Sequence, residues 1–167
     1  MTAERFATEL DDLLQRSKDP RELLAWTLGW LAGSLQFKGG SIARLTRADE
    51  LEIVAAFGQL DEAARKVKLR RGQGIAGNVV ATARTIYNAD LDVRSPAGVA
   101  AASRNVGTNR LIRSYLCSPL LTGEQVIGVM QIDSDRPNAF GPDAVALFES
   151  VAIALSRSDA LAAWAAG

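Results

Sequence analysis

The sequence has no histidine and only one cysteine, Cys117, among its 167 residues. Without imidazole there is no Ser-His-Asp or Cys-His activation of a nucleophile, and no metal site that requires a histidine ligand. A single thiol allows neither an intramolecular disulfide nor a Cys-x-x-Cys redox motif. That usage suits a reducing cytoplasm, the expected location. Net charge is missing as well, because 19 basic residues offset 19 acidic ones. Bulk charge therefore argues for neither nucleic acid nor an anionic membrane surface as a partner. No run reaches the roughly 18 apolar residues of a membrane span. The first residues carry Glu4, Glu9, Asp11 and Asp12 where a secretory signal would be basic and then apolar. The expectation is a soluble intracellular protein.

What is present is an ordinary globular share of apolar residues, 48%, enough to bury a core. Residues 3–16 read as an amphipathic helix, with Phe6, Leu10, Leu13 and Leu14 on one face. Asp19-Pro20 reads as an N-cap followed by proline in the first turn of a second helix, about 20–37. Its Leu23, Leu24, Trp26, Leu28, Trp30, Leu31 and Leu35 cover more than one face, so it needs partners on two sides. One partner is the domain's own sheet; the other is the first helix or another subunit. Gly39-Gly40 ends that helix, and residues 41–46 and 51–57 form a hairpin. Residues 66–70 alternate as a half-solvated strand, and 75–83 form a short helix of small residues. Residues 88–110 are irregular, and a loop of that length in a compact domain is often functional. Two apolar strands, 114–121 and 125–133, precede a last helix that opens at Gly141-Pro142-Asp143 and extends to about residue 165.

From residue 72 onward five blocks, in order, resemble a GAF domain. They are Gly72-Gln73-Gly74-Ile75-Ala76-Gly77, Thr85-Ile86-Tyr87-Asn88-Ala89-Asp90, Ser114-Tyr115-Leu116-Cys117-Ser118-Pro119-Leu120, Val126-Ile127-Gly128-Val129-Met130-Gln131-Ile132, and Phe140-Gly141-Pro142-Asp143 with Leu147. The resemblance covers roughly residues 40–157. It implies an α+β fold: a central antiparallel sheet of about six strands, terminal helices on one face, and a ligand pocket on the other under the middle loops. It also implies an organisation in which residues 1–38 are N-terminal helices and dimer interface, and 39–167 are the GAF domain with its last helix.

Three activities of the resembled family can be tested residue by residue. Its free methionine sulfoxide reductases place cysteines in the glycine-rich turn and the following loop. Here the turn carries Ala76, residues 88–110 hold no cysteine, and Cys117 lies in the strand beyond. A thiol reductase needs a thiolate and usually a resolving partner. The Ile132-Asp133-Ser134 run resembles that subgroup but is too little. Bilin-binding relatives offer a Cys-His pair, which this chain lacks. Cyclic-nucleotide binders carry an Asn-Lys…Phe…Asp-Glu pattern, matched only in part by Asp135-Arg136…Phe140…Asp143-Ala144. Arg136 and Asp143 are the pair that would replace it; the plainer reading is a strand-to-helix staple.

The expected function is a small-molecule-binding sensory module in signal transduction, not an enzyme, with no cofactor identified and no catalytic or metal residues. Its pocket lies between the sheet and residues 88–113. Arg94, Arg104, Asn105, Asn109, Arg113, Tyr115 and Cys117 are the candidate ligand contacts, and the arginines suit a polar or anionic metabolite. Cys117 also reads as a small buried hydrophobe. The basic run Arg65, Lys66, Lys68, Arg70 and Arg71 reads as a solvated strand face, because no aromatic residue lies among it to stack bases. A homodimer through the terminal helices is expected, since Trp164 near the chain end is harder to bury in a monomer, and the signal passes to a downstream protein. The alternative is a ligand-free dimerisation scaffold whose pocket is filled by residues such as Phe57, Tyr115 and Met130. A third reading is a degenerate reductase without its cysteines.

Overall fold

The structure, a computed structural model, describes residues 2–58, 68–91 and 112–166. Helix α1 spans Ala3–Arg16 and α2 spans Pro20–Ser34. Both begin at side-chain caps. Thr2 accepts the Arg5 amide at 3.2 Å, and Asp19 accepts the Arg21 amide at 2.9 Å, with Pro20 where a missing N–H costs nothing. Strands β1 (Gly39–Leu45) and β2 (Glu50–Phe57) form the expected hairpin. Strand β3 is only Leu69–Arg70, and α3 spans Gly74–Thr82. Strand β4 is Ile86–Asn88, followed by β5 (Ser114–Thr122), β6 (Gln125–Ser134) and α4 (Pro142–Ser156).

The six strands form one sheet in the order β3-β2-β1-β6-β5-β4, and every neighbouring pair is antiparallel. The central strands are covered on both faces, which is why β5 and β6 read as nearly continuous apolar runs. On one face Ile42, Leu116, Leu120, Met130 and Ile132 pack with α1, α2 and α4 around Phe6, Leu28 and Phe148. On the other, Ala43, Leu51, Tyr115, Cys117, Val126 and Val129 pack with Ala76, Val79 and Val80 of α3 and with Leu91 and Ile112. This is the expected α+β architecture, with the terminal helices confined to one face.

The second side of α2 is occupied within the chain. Phe6 of α1 stacks on Trp26 at a ring separation of 5.3 Å and meets Trp30 edge-on at 5.0 Å. Trp30 Nε1 donates to Glu9 at 3.0 Å. So α1 covers the extra apolar face, and α2 by itself gives no motive for a second subunit.

The last helix departs from expectation. It ends at Ser156, where the Ser156 hydroxyl donates back to the Ala152 carbonyl at 2.7 Å. A 3-10 turn (Asp159–Leu161) and a short helix α5 (Ala162–Ala166) follow. Residues 142–166 have helix propensity throughout, but tertiary burial overrides it. Leu161 is fully buried, and Trp164 turns back onto the core half-buried. Among the described residues no helix is long and apolar enough to cross a membrane.

Candidate functional site

Local backbone geometry explains the glycine-rich turn. Gly72 and Gly74 have φ of +81° and +64°, values that favour glycine. Gly77 meets a different demand: a Cβ there would lie 2.3 Å from the Arg70 carbonyl oxygen. The Gly72 amide donates to the Gly77 carbonyl at 2.8 Å, and Gln73 accepts the Arg70 amide at 3.0 Å. Together these contacts fix α3 across the sheet face opposite the terminal helices.

Cross-strand partners share a face of a sheet. The pairs Cys117 with Gln131, Tyr115 with Asp133, Gln131 with Ser41 and Asn88 with Tyr115 therefore place these side chains on the α3 side. Gln131 Nε2 donates to Ser41 Oγ at 2.5 Å. Ser41, Asp133 and Tyr115 are buried, and Cys117 is completely so. One end of the floor beyond α3 is thus polar, and it holds a buried carboxylate. Burial raises the Tyr115 phenol well above its ordinary range, and the neighbouring Cys117 and Asp133 add to the rise. Burial likewise pushes the Cys117 thiol far up, against a smaller lowering by Tyr115. A thiol held protonated in this way is a poor nucleophile.

Of the residues expected from sequence, Tyr115 and Cys117 stand together on this floor. Arg113 stands at its rim, with its guanidinium engaged by Asp90 at 2.7 and 2.9 Å. The Arg113 carbonyl accepts the Leu91 amide at 2.6 Å, and its own amide donates to Ser134 at 2.8 Å. Arg94, Arg104, Asn105 and Asn109 lie outside the described residues. Of the bulky side chains weighed as pocket fillers, only Tyr115 is on this face. Met130 belongs to the helix-side core, and Phe57 packs against Phe37 at 5.3 Å. Sequence reasoning missed Ser41 and Gln131, and took Asp133 only as part of a short run. The signal was the odd-numbered series Val129, Gln131, Asp133 inside an otherwise apolar strand.

The remaining charged candidates are settled on the surface. Lys68 and Arg70 flank Glu50 at 4.0 and 3.1 Å, and Arg71 pairs with Asp49 at 3.1 Å. These pairs support the solvated-strand reading for the described part of the basic run. Arg136 donates to Gln36 at 3.3 Å, and among the described residues it forms no ion pair with Asp143.

The family model for the GAF domain matches residues 19–158. The Nif-specific regulatory protein of Azospirillum lipoferum is 27% identical over 125 residues, which are 75% of this chain and 20% of that protein. The chain thus spans about one fifth of the length of the curated relatives it matches. Among solved structures, the GAF domain of an Acinetobacter phosphoenolpyruvate-protein phosphotransferase superposes with a TM-score of 0.79 at 18% identity, covering 98% of this chain and 92% of that one. The free methionine-R-sulfoxide reductase of Neisseria meningitidis, solved with its substrate, superposes with a TM-score of 0.74 at 22% identity, covering 93% and 86%. At such identities the likeness shows the fold, and with the family match over most of the length, the chain belongs to the GAF domain family.

Proposed function

We propose that this chain is a ligand-binding sensory module and not a catalyst, with its ligand held between the α3 face of the sheet and residues 88–113. The observation that carries this reading is the buried polar floor: Asp133 beside Tyr115, and Gln131 bonded to Ser41. Ligand sites hold a small number of placed polar groups that fix the orientation of what they bind. A carboxylate, an amide oxygen and hydroxyls have acceptor capacity beyond one bond each, which suits a ligand end that donates hydrogen bonds. Arg94, Arg104, Asn105 and Asn109, with Arg113 at the rim, supply contacts to a polar or anionic end. A small zwitterion such as a free amino acid or its oxidised derivative satisfies both. The likeness to a reductase solved with its substrate supports that class, while the lone, protonated Cys117 argues against reduction.

The likeness to a regulatory protein supports a place in signal transduction, with a downstream protein receiving the signal. The module acts as a homodimer in the cytoplasm. Ile153, 52% exposed on the outer side of α4, supplies an apolar contact for such a dimer. Neither nucleic acid nor membrane is a partner.

Native mass spectrometry on gently purified protein reads oligomeric state and retained ligand together. A dimer carrying one small mass per chain is the expected result. Thermal shift against a panel of amino acids and small polar metabolites then compares wild type with Asp133→Asn. Loss of a charge-assisted hydrogen bond of about 1.5–3 kcal/mol weakens binding at least tenfold. A folded protein that retains nothing and responds to nothing in the panel favours the ligand-free scaffold, whose specific support is the burial of Cys117 and Tyr115.

A further inference from the structure

Strand β4 is the last strand of the sheet, and among the described residues no backbone group pairs with its outer side. Helix α4 packs on its inner neighbour, β5. Between α4 and the Ala83–Tyr87 segment runs an open groove of about 470 Å³. Pro119 and Leu121 of β5 contribute its floor, and Val145 and Ile153 its helix wall. Neither α1 nor α2 adds a residue to it. Ile153 is 52% exposed, more than any other large apolar side chain among the described residues. An exposed aliphatic side chain at the rim of an apolar groove marks a surface built for contact.

The groove carries one charge of each sign, on facing walls. Arg84 stands on the strand wall and Glu149 on the helix wall, one turn before Ile153. Both are exposed. Among the described residues neither makes an ion pair or a side-chain hydrogen bond. A two-fold axis that runs along the groove sets the strand wall of each copy against the helix wall of the other. Arg84 then meets Glu149 of the second copy, and the same pair forms again across the axis, as an isologous interface requires. Ile153 of each copy enters the other's groove over Pro119 and Leu121. Exposed ion pairs add little affinity, but opposite charges fix register, and burial of Ile153 drives the association. In charge the surface is complementary to itself, which selects a second copy over a partner of one sign.

We infer that two copies of this chain associate through the groove between β4 and α4, with two reciprocal Arg84–Glu149 pairs flanking Ile153. The inference rests on the homodimer proposed above and specifies its interface; it is independent of the ligand. Strand β4 joins this interface to the polar floor, since Tyr87 lines the groove and the next residue, Asn88, is the cross-strand partner of Tyr115.

Sedimentation velocity over a range of protein concentrations measures the dimer Kd, and wild type is expected to be a reversible dimer. Ile153→Asp puts a charge into both seats and raises Kd at least about tenfold. Arg84→Glu and Glu149→Arg each bring like charges together twice and raise it at least about fivefold. The double variant, Arg84→Glu with Glu149→Arg, restores both pairs in reverse and returns Kd to within about twofold of wild type. Both charges are exposed, so the swap decides even if Ile153→Asp destabilises the fold. A dimer whose Kd none of these substitutions moves overturns the groove interface and leaves the homodimer standing. Single charge variants that weaken the dimer without rescue in the double variant overturn the reciprocal pairing. A wild type that stays monomeric at every concentration overturns the interface and the homodimer together.

Discussion

The hydroxyl of Ser156, at the end of α4, accepts the Leu121 amide proton at 3.0 Å. The β5–β6 register slips between Leu120 and Leu121, and a bulge of this kind leaves backbone groups without strand partners. Ser156 meets that need while its own proton goes to Ala152. Ser156→Ala removes the acceptor without changing the apolar packing. The expected cost is about 1–3 kcal/mol for an amide left unsatisfied. Urea denaturation with an unchanged m-value and a lower midpoint is the outcome that supports it; stability within experimental error of wild type refutes it.

Gly77 is the second backbone-limited position. An alanine there drives a Cβ against the Arg70 carbonyl, and backbone cannot rotate away as a flexible side chain would. Gly77→Ala is expected to lose about 1–3 kcal/mol through overpacking. For a domain of this size each kcal/mol lowers Tm by roughly 2–4 °C. Gly72→Ala separates the two causes: nothing lies within 4 Å of its Cβ position, but its φ is +81°. Its cost, about 1 kcal/mol of conformational strain, is the smaller of the two.

Much of this scaffold was legible in the chain. Asp19-Pro20 announced α2, and the glycine turn announced α3, because caps and close backbone approaches place demands on single residues. The polar floor was harder to see. Ser41 follows two glycines, and Gln131 sits within Val-Ile-Gly-Val-Met-Gln-Ile, where two-sided burial hides the alternation of faces. The break after Ser156 was invisible because Ala- and Leu-rich sequence favours helix on either side of it, and only the burial of Leu161 and Trp164 selects the turn. The four site candidates between 92 and 111 lie outside the described residues, so on these the sequence reading stands as a proposal.

Phe6 ties α1 to the body of the domain. It is fully buried and touches both Trp26 and Trp30. Phe6→Ala is expected to cost about 3–5 kcal/mol, and to detach α1 before the sheet unfolds. Hydrogen exchange distinguishes the two levels: amides of Leu10–Leu14 lose protection, while those of β5 and β6 keep most of theirs. Equal loss throughout would mean that α1 is inseparable from the cooperative core.

Cys117 ties the fold to pH. Burial raises its thiol pKa far above the ordinary value near 8.5. The folded state therefore holds its proton where the unfolded chain gives it up, and unfolding releases a proton above about pH 8.5. The sign follows directly: the unfolded state binds fewer protons there, so stability falls as pH rises past the unfolded value. Tyr115, shifted in the same direction, adds to the slope only above about pH 10. Cys117→Ala deletes the first part of that slope, and urea midpoints at pH 7.5 and 9.5 differ less in the variant than in wild type. In the wild type, alkylation of Cys117 at pH 8 tracks global or local opening and is suppressed by conditions that stabilise the fold. A thiol that reacts at the rate of a free peptide cysteine would place it at an open surface and contradict its burial.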